Sequence, residues 1–294
     1  MRLDVLLTKR LGDKYTRSQI TNAIKSGHVT VHEVVTKKCG FEVSETDAIQ
    51  IAPSWNPNLE PEENRAQDIP LDIVFQDQYL MVINKPRGMV THPGAGNHDN
   101  TLLNALLHHA TSHVNTAQDL NRAGIVHRLD KNTAGLLIVA RDITTQGLLS
   151  AMLERREVKR AYLGIVEGVM QGSGTINKNI VRDPNHRTLF TVTADSKKGR
   201  TAITHYTVVQ NFAKHTLVRF NLETGRTHQI RVHCKSIGHP LVGDPEYNPK
   251  HGEGQMLESV SLSFIHPRTG EKIEFEIQPT QEFKNHLTKL NTAR

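Results

Sequence analysis

The sequence predicts an α+β protein in two parts: a small N-terminal α/β module over residues 1–52, and a large domain over 71–294 with a mixed, mainly antiparallel sheet and flanking helices. Three observations carry this. Pro53 to Pro70 holds four of the twelve prolines and a run of acids with few apolar residues, the composition of an exposed linker. Ahead of it the apolar spacing is helical and then alternating. Beyond it strand patterns outnumber helix patterns and often follow one another with no helix between them.

In the first part, Leu3, Val5, Leu6 and Leu7 open a short helix. Thr16 stands three residues ahead of Gln19, a capping-box spacing, and Ile20, Ala23 and Ile24 then share one helical face. His28 to Val35 alternates Val29 and Val31 with polar neighbours, and Phe41, Val43, Ile49 and Ile51 supply further short strands. Residues 1–38 carry eight Lys or Arg against Asp4, Asp13 and Glu33, a local +5, with Arg17 and Lys25 on or beside the second helix. Such a face suits a polyanion and equally suits solvent.

In the second part, Val74 and Phe75 and then Tyr79 to Asn84 form a predicted hairpin around Gln76-Asp77-Gln78, closed by the turn Lys85-Pro86-Arg87-Gly88. Thr101 to Ala110 is helical by pattern, Gly135 to Arg141 reads as a buried strand, and Thr144 to Glu157 as a helix with Leu148, Leu149, Met152 and Leu153 inward. Tyr162 to Val166, His205 to Gln210, Thr216 to Leu222, Leu262 to Ile265 and Ile273 to Ile277 read as strands, and Phe283 to Leu290 as a terminal helix.

Composition bounds the function. No apolar run approaches twenty residues and the mean hydropathy is −0.45, which excludes a spanning helix and predicts a soluble chain with no membrane partner. Arg2 and Asp4 interrupt the N-terminus before any signal-like apolar middle develops, so a cytoplasmic location is expected. Cys39 and Cys234 are too few for a disulfide framework and are expected to be free thiols; a monomer is expected. The net charge of +6 admits a polyanion partner, while 5% aromatic residues argue against a base-stacking platform. His92-Pro93-Gly94-Ala95-Gly96 lacks a Gly-Lys-Ser/Thr ending, no G-x-G-x-x-G follows a strand, and neither H-E-x-x-H nor G-x-S-x-G occurs. His108-His109, His228 and His233 have no nearby carboxylate at ligand spacing, so no metal is expected.

Two polar clusters remain. Gly124-Ile125-Val126-His127-Arg128-Leu129-Asp130-Lys131-Asn132-Thr133-Ala134-Gly135 places an acid beside two cations in a loop that feeds an apolar strand. Neighbouring cations favour the charged form of a carboxylate, so this acid is a candidate nucleophile or base; a structural ion pair at a strand start is the alternative. Glu223-Thr224-Gly225-Arg226-Thr227-His228-Gln229-Ile230-Arg231 sets Arg226 in a turn and Arg231 in the first turn of a helix begun at Thr227, a geometry for anions or simply a basic surface helix.

At these residues a resemblance becomes specific. GIVHRLDKNTAGLLIVAR resembles the signature of the RluA family of pseudouridine synthases, and ETGRTHQIRVH followed by GHPLVGD resembles that family's other block. KRAYLGIVEG with Tyr162, NKPRGMVTHPGAG and the closing His266-Pro267 extend the resemblance over residues 71–294. Residues 1–52 resemble the small RNA-binding module named after ribosomal protein S4. The resemblance implies isomerisation of uridine to pseudouridine in RNA without metal or organic cofactor. It favours large-subunit ribosomal RNA, free or in an assembling subunit, with the helix 69 stem-loop as target. It makes Asp130 the essential carboxylate, acting on the ribose or assisting glycosidic cleavage, pairs Arg231 with it, and lays Tyr162 against the uracil. Arg128 would hold the flipped nucleotide's place or its phosphate; His127, Lys131, Arg226 and His228 would contact phosphate or support loops, and Arg17 and Lys25 would bind RNA from the N-terminal module. Ala134 stands where the family carries Ser or Thr, and Glu258-Ser259 where many relatives have His-Ala, departures expected to bear on RNA preference more than on chemistry. Two rival functions stand beside this one: modification of other ribosomal or transfer RNA sites, and a non-catalytic RNA-binding ribosome-assembly factor.

Overall fold

The computed structural model describes residues 1–55, 65–94, 96–113, 121–186, 188–195, 197–248, 252 and 254–292. The chain divides into two compact units, Met1–Arg65 and Ala66–Arg294. In the first, helices α1 (Leu3–Leu11) and α2 (Arg17–Lys25) bury Leu3, Leu6, Leu7, Ile20, Ala23 and Ile24 against Val29 and Val31 of strand β1 (Val29–Val31). The Thr16 hydroxyl accepts from the Gln19 N–H at 3.2 Å and the Gln19 side chain accepts from the Thr16 N–H at 2.8 Å, so the capping box forms. β1 lies between β2 (Val34–Val35) and β3 (Ile49–Ile51), antiparallel to both. Phe41 and Val43 form no strand: Glu42 makes a lone bridge to Arg2, which leaves Val43 buried and Phe41 exposed.

The second unit runs β4 (Ile73–Gln76), β5 (Leu80–Lys85), α3 (Leu102–His113), β6 (Ala134–Ala140), α4 (Ile143–Glu154), β7 (Lys159–Glu167), β8 (Ser173–Asn177), β9 (Asn179–Arg182), β10 (Phe190–Thr193), β11 (Ile203–Asn211), β12 (His215–Leu222), α5 (Gln229–Ser236), β13 (Leu257–Ile265), β14 (Lys272–Glu276) and α6 (Gln281–Thr292). Its main sheet has the order β4-β5-β6-β13-β7-β12-β11-β8, with β14 on β13. β13 enters the middle of the sheet. It is parallel to β6 at Glu258 and Ser259, antiparallel to β7, and antiparallel to β14 farther along.

β6 is buried on both faces, which explains its unbroken apolar run. Leu137 and Val139 enter a core with Leu102, Leu106, Tyr162 and Phe220, whereas Leu136, Ile138 and Ala140 enter another with Leu149, Met152, Leu262 and Phe264. Gly135 lets β13 approach: a Cβ there would stand 2.1 Å from the Ser259 carbonyl oxygen, at φ +111°.

Three expectations change. Leu148 is exposed, because the inward stripe of α4 runs through Thr145, Leu149 and Met152 at helical spacing and Leu148 falls beside it. Residues 173–193 contain strands that the pattern did not show. The end of the expected linker belongs to the second unit: the Gln67 N–H donates to the Asn104 carbonyl at 3.0 Å, and its side chain accepts from the Asn100 N–H at 2.7 Å. Residues 56–64 of that linker lie outside the described residues. Among the described residues no helix is long and apolar enough to cross a membrane, and Cys39 and Cys234 are free.

Candidate active site

The loop carrying Asp130 is fixed along its length. It begins at Gly124 (φ +79°), where a Cβ would overlap the Ala140 carbonyl oxygen at 1.9 Å. The His127 Nε2 accepts from the Ile138 N–H at 3.0 Å and ties the loop to β6. The Thr91 hydroxyl donates to the Leu129 carbonyl at 2.8 Å, and the Gly88 N–H to the Lys131 carbonyl at 2.9 Å. Lys85 lies beneath, fully buried, its Nζ donating to the carbonyls of Pro86 and Met89, both at 2.9 Å, and of Lys131 at 3.3 Å. Burial pushes the Lys85 ammonium down to about 7, against the pull of the Asp130 carboxylate.

Arg231 reaches Asp130 from the first turn of α5. That helix begins at Gln229, two residues later than predicted, because His228 takes a left-handed conformation (φ 56°) as its N-cap. The Arg231 Nη1 lies 3.3 Å from the Asp130 carboxylate, but its stronger partner is Asp244. Nε and Nη2 each donate to Asp244 at 2.7 Å, a bidentate fork, and Nη2 also reaches Glu246 at 2.5 Å. Burial opposes the guanidinium charge, yet the Asp244 hydrogen bonds and the charges of Asp130, Asp244 and Glu246 raise its pKa above the usual value. The His228 Nδ1 meets the Tyr247 hydroxyl at 2.9 Å while Nε2 stands 3.9 Å from Asp130; burial lowers the pKa of His228 against the pull of Asp130.

Tyr162, buried on β7, completes the set. It borders the same cavity as Asp130, Arg231, His228, Arg128 and Arg226, a space of about 430 Å³, within the range of small-ligand sites. Burial pushes its phenol above the usual value, against the Arg160 charge and a hydrogen bond with Ser259. A carboxylate on a braced loop, a fixed guanidinium and a buried phenol thus border one space of small-ligand size.

A family model described as RNA pseudouridylate synthase matches residues 79–236, and one described as S4 domain matches residues 1–49. The chain is 41% identical to the ribosomal large subunit pseudouridine synthase D of Escherichia coli K12, over 96% of this chain and 88% of that protein. The chain belongs to the RNA pseudouridylate synthase family. It is also 42% identical to the protein of the same name from Vibrio cholerae, over 93% of this chain and 86% of that one. The solved structure titled human RNA pseudouridylate synthase domain containing 4 shares the fold, with a TM-score of 0.60 at 24% identity, covering 74% of this chain and 92% of that chain.

In this synthase the other sequence-predicted residues are spread around the site. Arg128 is exposed at the cavity. The Arg226 Nε donates to the Thr201 carbonyl at 3.1 Å, and burial, Arg200 and Arg156 lower the pKa of its guanidinium. His127 borders the cavity but spends Nε2 on the Ile138 N–H of β6. Lys131 does not line it; its Nζ donates to Asn97 at 3.1 Å over a separate depression. Arg17 and Lys25 are exposed on α2 of the first unit, with the Arg17 Nη2 4.0 Å from Asp4. Glu258 and Ser259 lie inside the sheet. The Glu258 carboxylate accepts from the Thr280 N–H at 2.9 Å, and the buried Ser259 hydroxyl donates to the Leu136 carbonyl at 3.0 Å, with Ser259 opposite Tyr162 across the β13–β7 pair.

Sequence reasoning missed Asp244, Glu246, Lys85 and Gln229. Asp244 closes the GHPLVGD block, thirteen positions from Arg231, and only folding brings them together. The Gln229 side chain accepts from the Arg226 N–H at 3.0 Å and from the Thr224 hydroxyl at 2.7 Å, locking the turn before α5.

Proposed function

We propose that this synthase isomerises uridines of large-subunit ribosomal RNA, with the helix 69 stem-loop as target, and that Asp130, Tyr162 and Arg231 do the chemistry. The reaction breaks the bond from ribose C1′ to uracil N1, turns the base, joins C1′ to C5 and removes the C5 hydrogen. The base must therefore be held out of the helical stack and away from water while it is detached. The observation that carries the reading is the Asp130 carboxylate, fixed by Arg231 beside buried Tyr162 in a nucleotide-sized cavity. Asp130 serves as nucleophile at C1′ or as the base that assists cleavage, and both routes need the same placement. Tyr162, with its phenol held protonated at neutral pH by burial, acts as an apolar plane and hydroxyl for the uracil. It removes the C5 hydrogen only if its own proton has somewhere to go. The net +5 of residues 1–38, with Arg17 and Lys25 exposed on α2, adds phosphate contacts from the S4 domain, and Arg128 and Arg226 add them at the cavity. The names of the relatives at 41% and 42% identity support the ribosomal target.

The test is a pseudouridine map of ribosomal and transfer RNA from cells lacking the gene, complemented with wild type or Asp130→Ala. Loss of large-subunit sites, restored by wild type alone, is the expected result. Loss in another RNA would retain the reaction and overturn the target. No lost site would leave a non-catalytic assembly factor as the better account.

A further inference from the structure

We infer that Arg160 is the anion contact that seats the phosphodiester of the target nucleotide, an assignment that rests on reading this cavity as a uridine site. Arg160 lies on β7 two residues before Tyr162, and residues i and i+2 of a strand project to one face about 6.6 Å apart. Both side chains border the cavity.

The arginines around this cavity differ in how they are satisfied. Arg231 is held by three carboxylates, Arg156 pairs with Glu223 at 2.9 Å, and Arg226 donates to the Thr201 carbonyl. Arg128 is exposed to solvent. Arg160 is 7% exposed, forms no ion pair among the described residues, and its buried Nε has no hydrogen-bond partner. The chain makes room for this cation. A Cβ at Gly225 would stand 2.6 Å from the Arg160 Nη1, so the glycine in the turn leaves the guanidinium its place. A second orphan is close in sequence to the catalytic acid: the His127 Nδ1, also buried without a partner and on a residue bordering the same cavity. Since the His127 Nε2 accepts a hydrogen bond, Nδ1 carries the proton, and both orphaned nitrogens are donors.

A guanidinium cannot shed its charge, and holding one buried without a counter-ion is costly. A site that keeps such a group is completed by an anion arriving with its ligand, and arginine matches phosphate by a planar fork of N–H groups. Uracil is uncharged and suits the side of the cavity formed by Tyr162, Leu222 and Leu257. The charge a nucleotide brings is its phosphodiester, attached on the far side of the ribose from the base, and Arg160 stands one strand repeat along from Tyr162 to receive it.

The test couples the protein charge to the RNA charge. Wild type, Arg160→Met and Arg160→Lys full-length enzymes are measured for equilibrium binding and single-turnover isomerisation of a helix 69 stem-loop. The stem-loop carries either native phosphates or a neutral methylphosphonate 5′ or 3′ of the target uridine. At one of the two positions the neutral linkage is expected to weaken wild-type binding about 10- to 100-fold. Arg160→Met should lose a similar factor on native RNA and nothing further on the neutralised RNA, with Arg160→Lys between. The free Arg160→Met enzyme should melt no lower than wild type, because an unpartnered buried charge has been removed. Losses that multiply instead of merging at both positions would overturn the assignment. So would native RNA binding retained by an Arg160→Met enzyme whose melting temperature falls, the mark of a purely structural arginine. Should Arg160→Met not fold, Arg160→Lys carries the same comparison and the failure itself counts against the assignment. If wild type binds the stem-loop with this coupling but isomerises no uridine, the proposed function fails and the phosphate contact stands.

Discussion

Replacing Asp244 with asparagine tests whether the Arg231 guanidinium beside Asp130, the proposed catalytic acid, is positioned from behind. The Asp244 carboxylate is fully buried and accepts four hydrogen bonds: two at 2.7 Å from Arg231, and two at 3.0 Å from the N–H groups of Glu246 and Tyr247. Both backbone donors and the Arg231 Nη2 fall on Oδ1, so Asp244→Asn keeps its carbonyl there and turns its amide NH₂ toward the Arg231 Nε–H. One hydrogen bond to a charged group is lost, about 1.5–3 kcal/mol, and two donors now face each other without water, about 1–3 kcal/mol more. The sum, about 2.5–6 kcal/mol, brackets the usual cost of breaking a buried ion pair, about 3–5 kcal/mol. At about 2–4 °C per kcal/mol for a unit of this size, the melting temperature should fall by about 5–24 °C. The Arg231 contact to Asp130, already long at 3.3 Å, should shift with it, and a displacement near 1 Å costs about 100-fold in rate. The assay is single-turnover release of tritium from RNA labelled at uracil C5, run beside a thermal melt. A lower melting temperature with unchanged release would show that Arg231 orientation does not matter to the chemistry. Neither change would show that Asp244 does not hold the guanidinium.

Asp130→Ala should abolish tritium release and alter stability by about 1 kcal/mol at most, since this carboxylate is partly open and its hydrogen bond from Arg231 is long at 3.3 Å; urea midpoints check this. Gly135→Ala should cost more than about 3 kcal/mol or prevent folding, because its methyl would meet the Ser259 carbonyl in a backbone conformation foreign to alanine, and expression with urea unfolding reads the result. Thr16→Ala should lower the stability of the first unit by about 1 kcal/mol through loss of the capping box, measurable as reduced hydrogen-exchange protection of α2. Burial pushes His127 down to about 3 from an ordinary 6.5, so between those values the unfolded chain binds a proton that the native one does not. Its stabilising share is full above pH 6.5 and is lost as pH falls toward 3, at no more than about 1.4 kcal/mol per pH unit. His127→Gln should flatten that slope, and urea unfolding from pH 4 to 7 would show it; an unaltered slope would place the titration elsewhere.

The sequence made some of this legible because the signal was local. A seven-residue apolar run declared β6, the Thr16 and Gln19 spacing declared α2, and the acid between cations marked Asp130. Strands β8 to β10 escaped because Ser173–Asn177, Asn179–Arg182 and Phe190–Thr193 are only four or five residues long, too short for an alternation of their own to stand out. Asp244 escaped because a carboxylate far along the chain announces no partner. Lys85 was read as the start of a turn, and only the fold shows its ammonium turned inward onto three carbonyls. Leu148 was assigned by hydrophobicity alone, where the helix phase fixed by Thr145, Leu149 and Met152 decides.

The place of β13 has a consequence for the order in which the molecule becomes competent. Asp130 precedes β6 and Tyr162 sits on β7, and in the sheet β13 lies between these two strands and pairs with both. A nascent chain thus carries Asp130 and Tyr162 for more than ninety residues before the strand that aligns them is made. Until Leu257–Ile265 has been translated and has slotted between its neighbours, the halves of the site have no common frame. The two halves of the candidate site are thus brought into register by a strand that lies about ninety residues beyond the second of them.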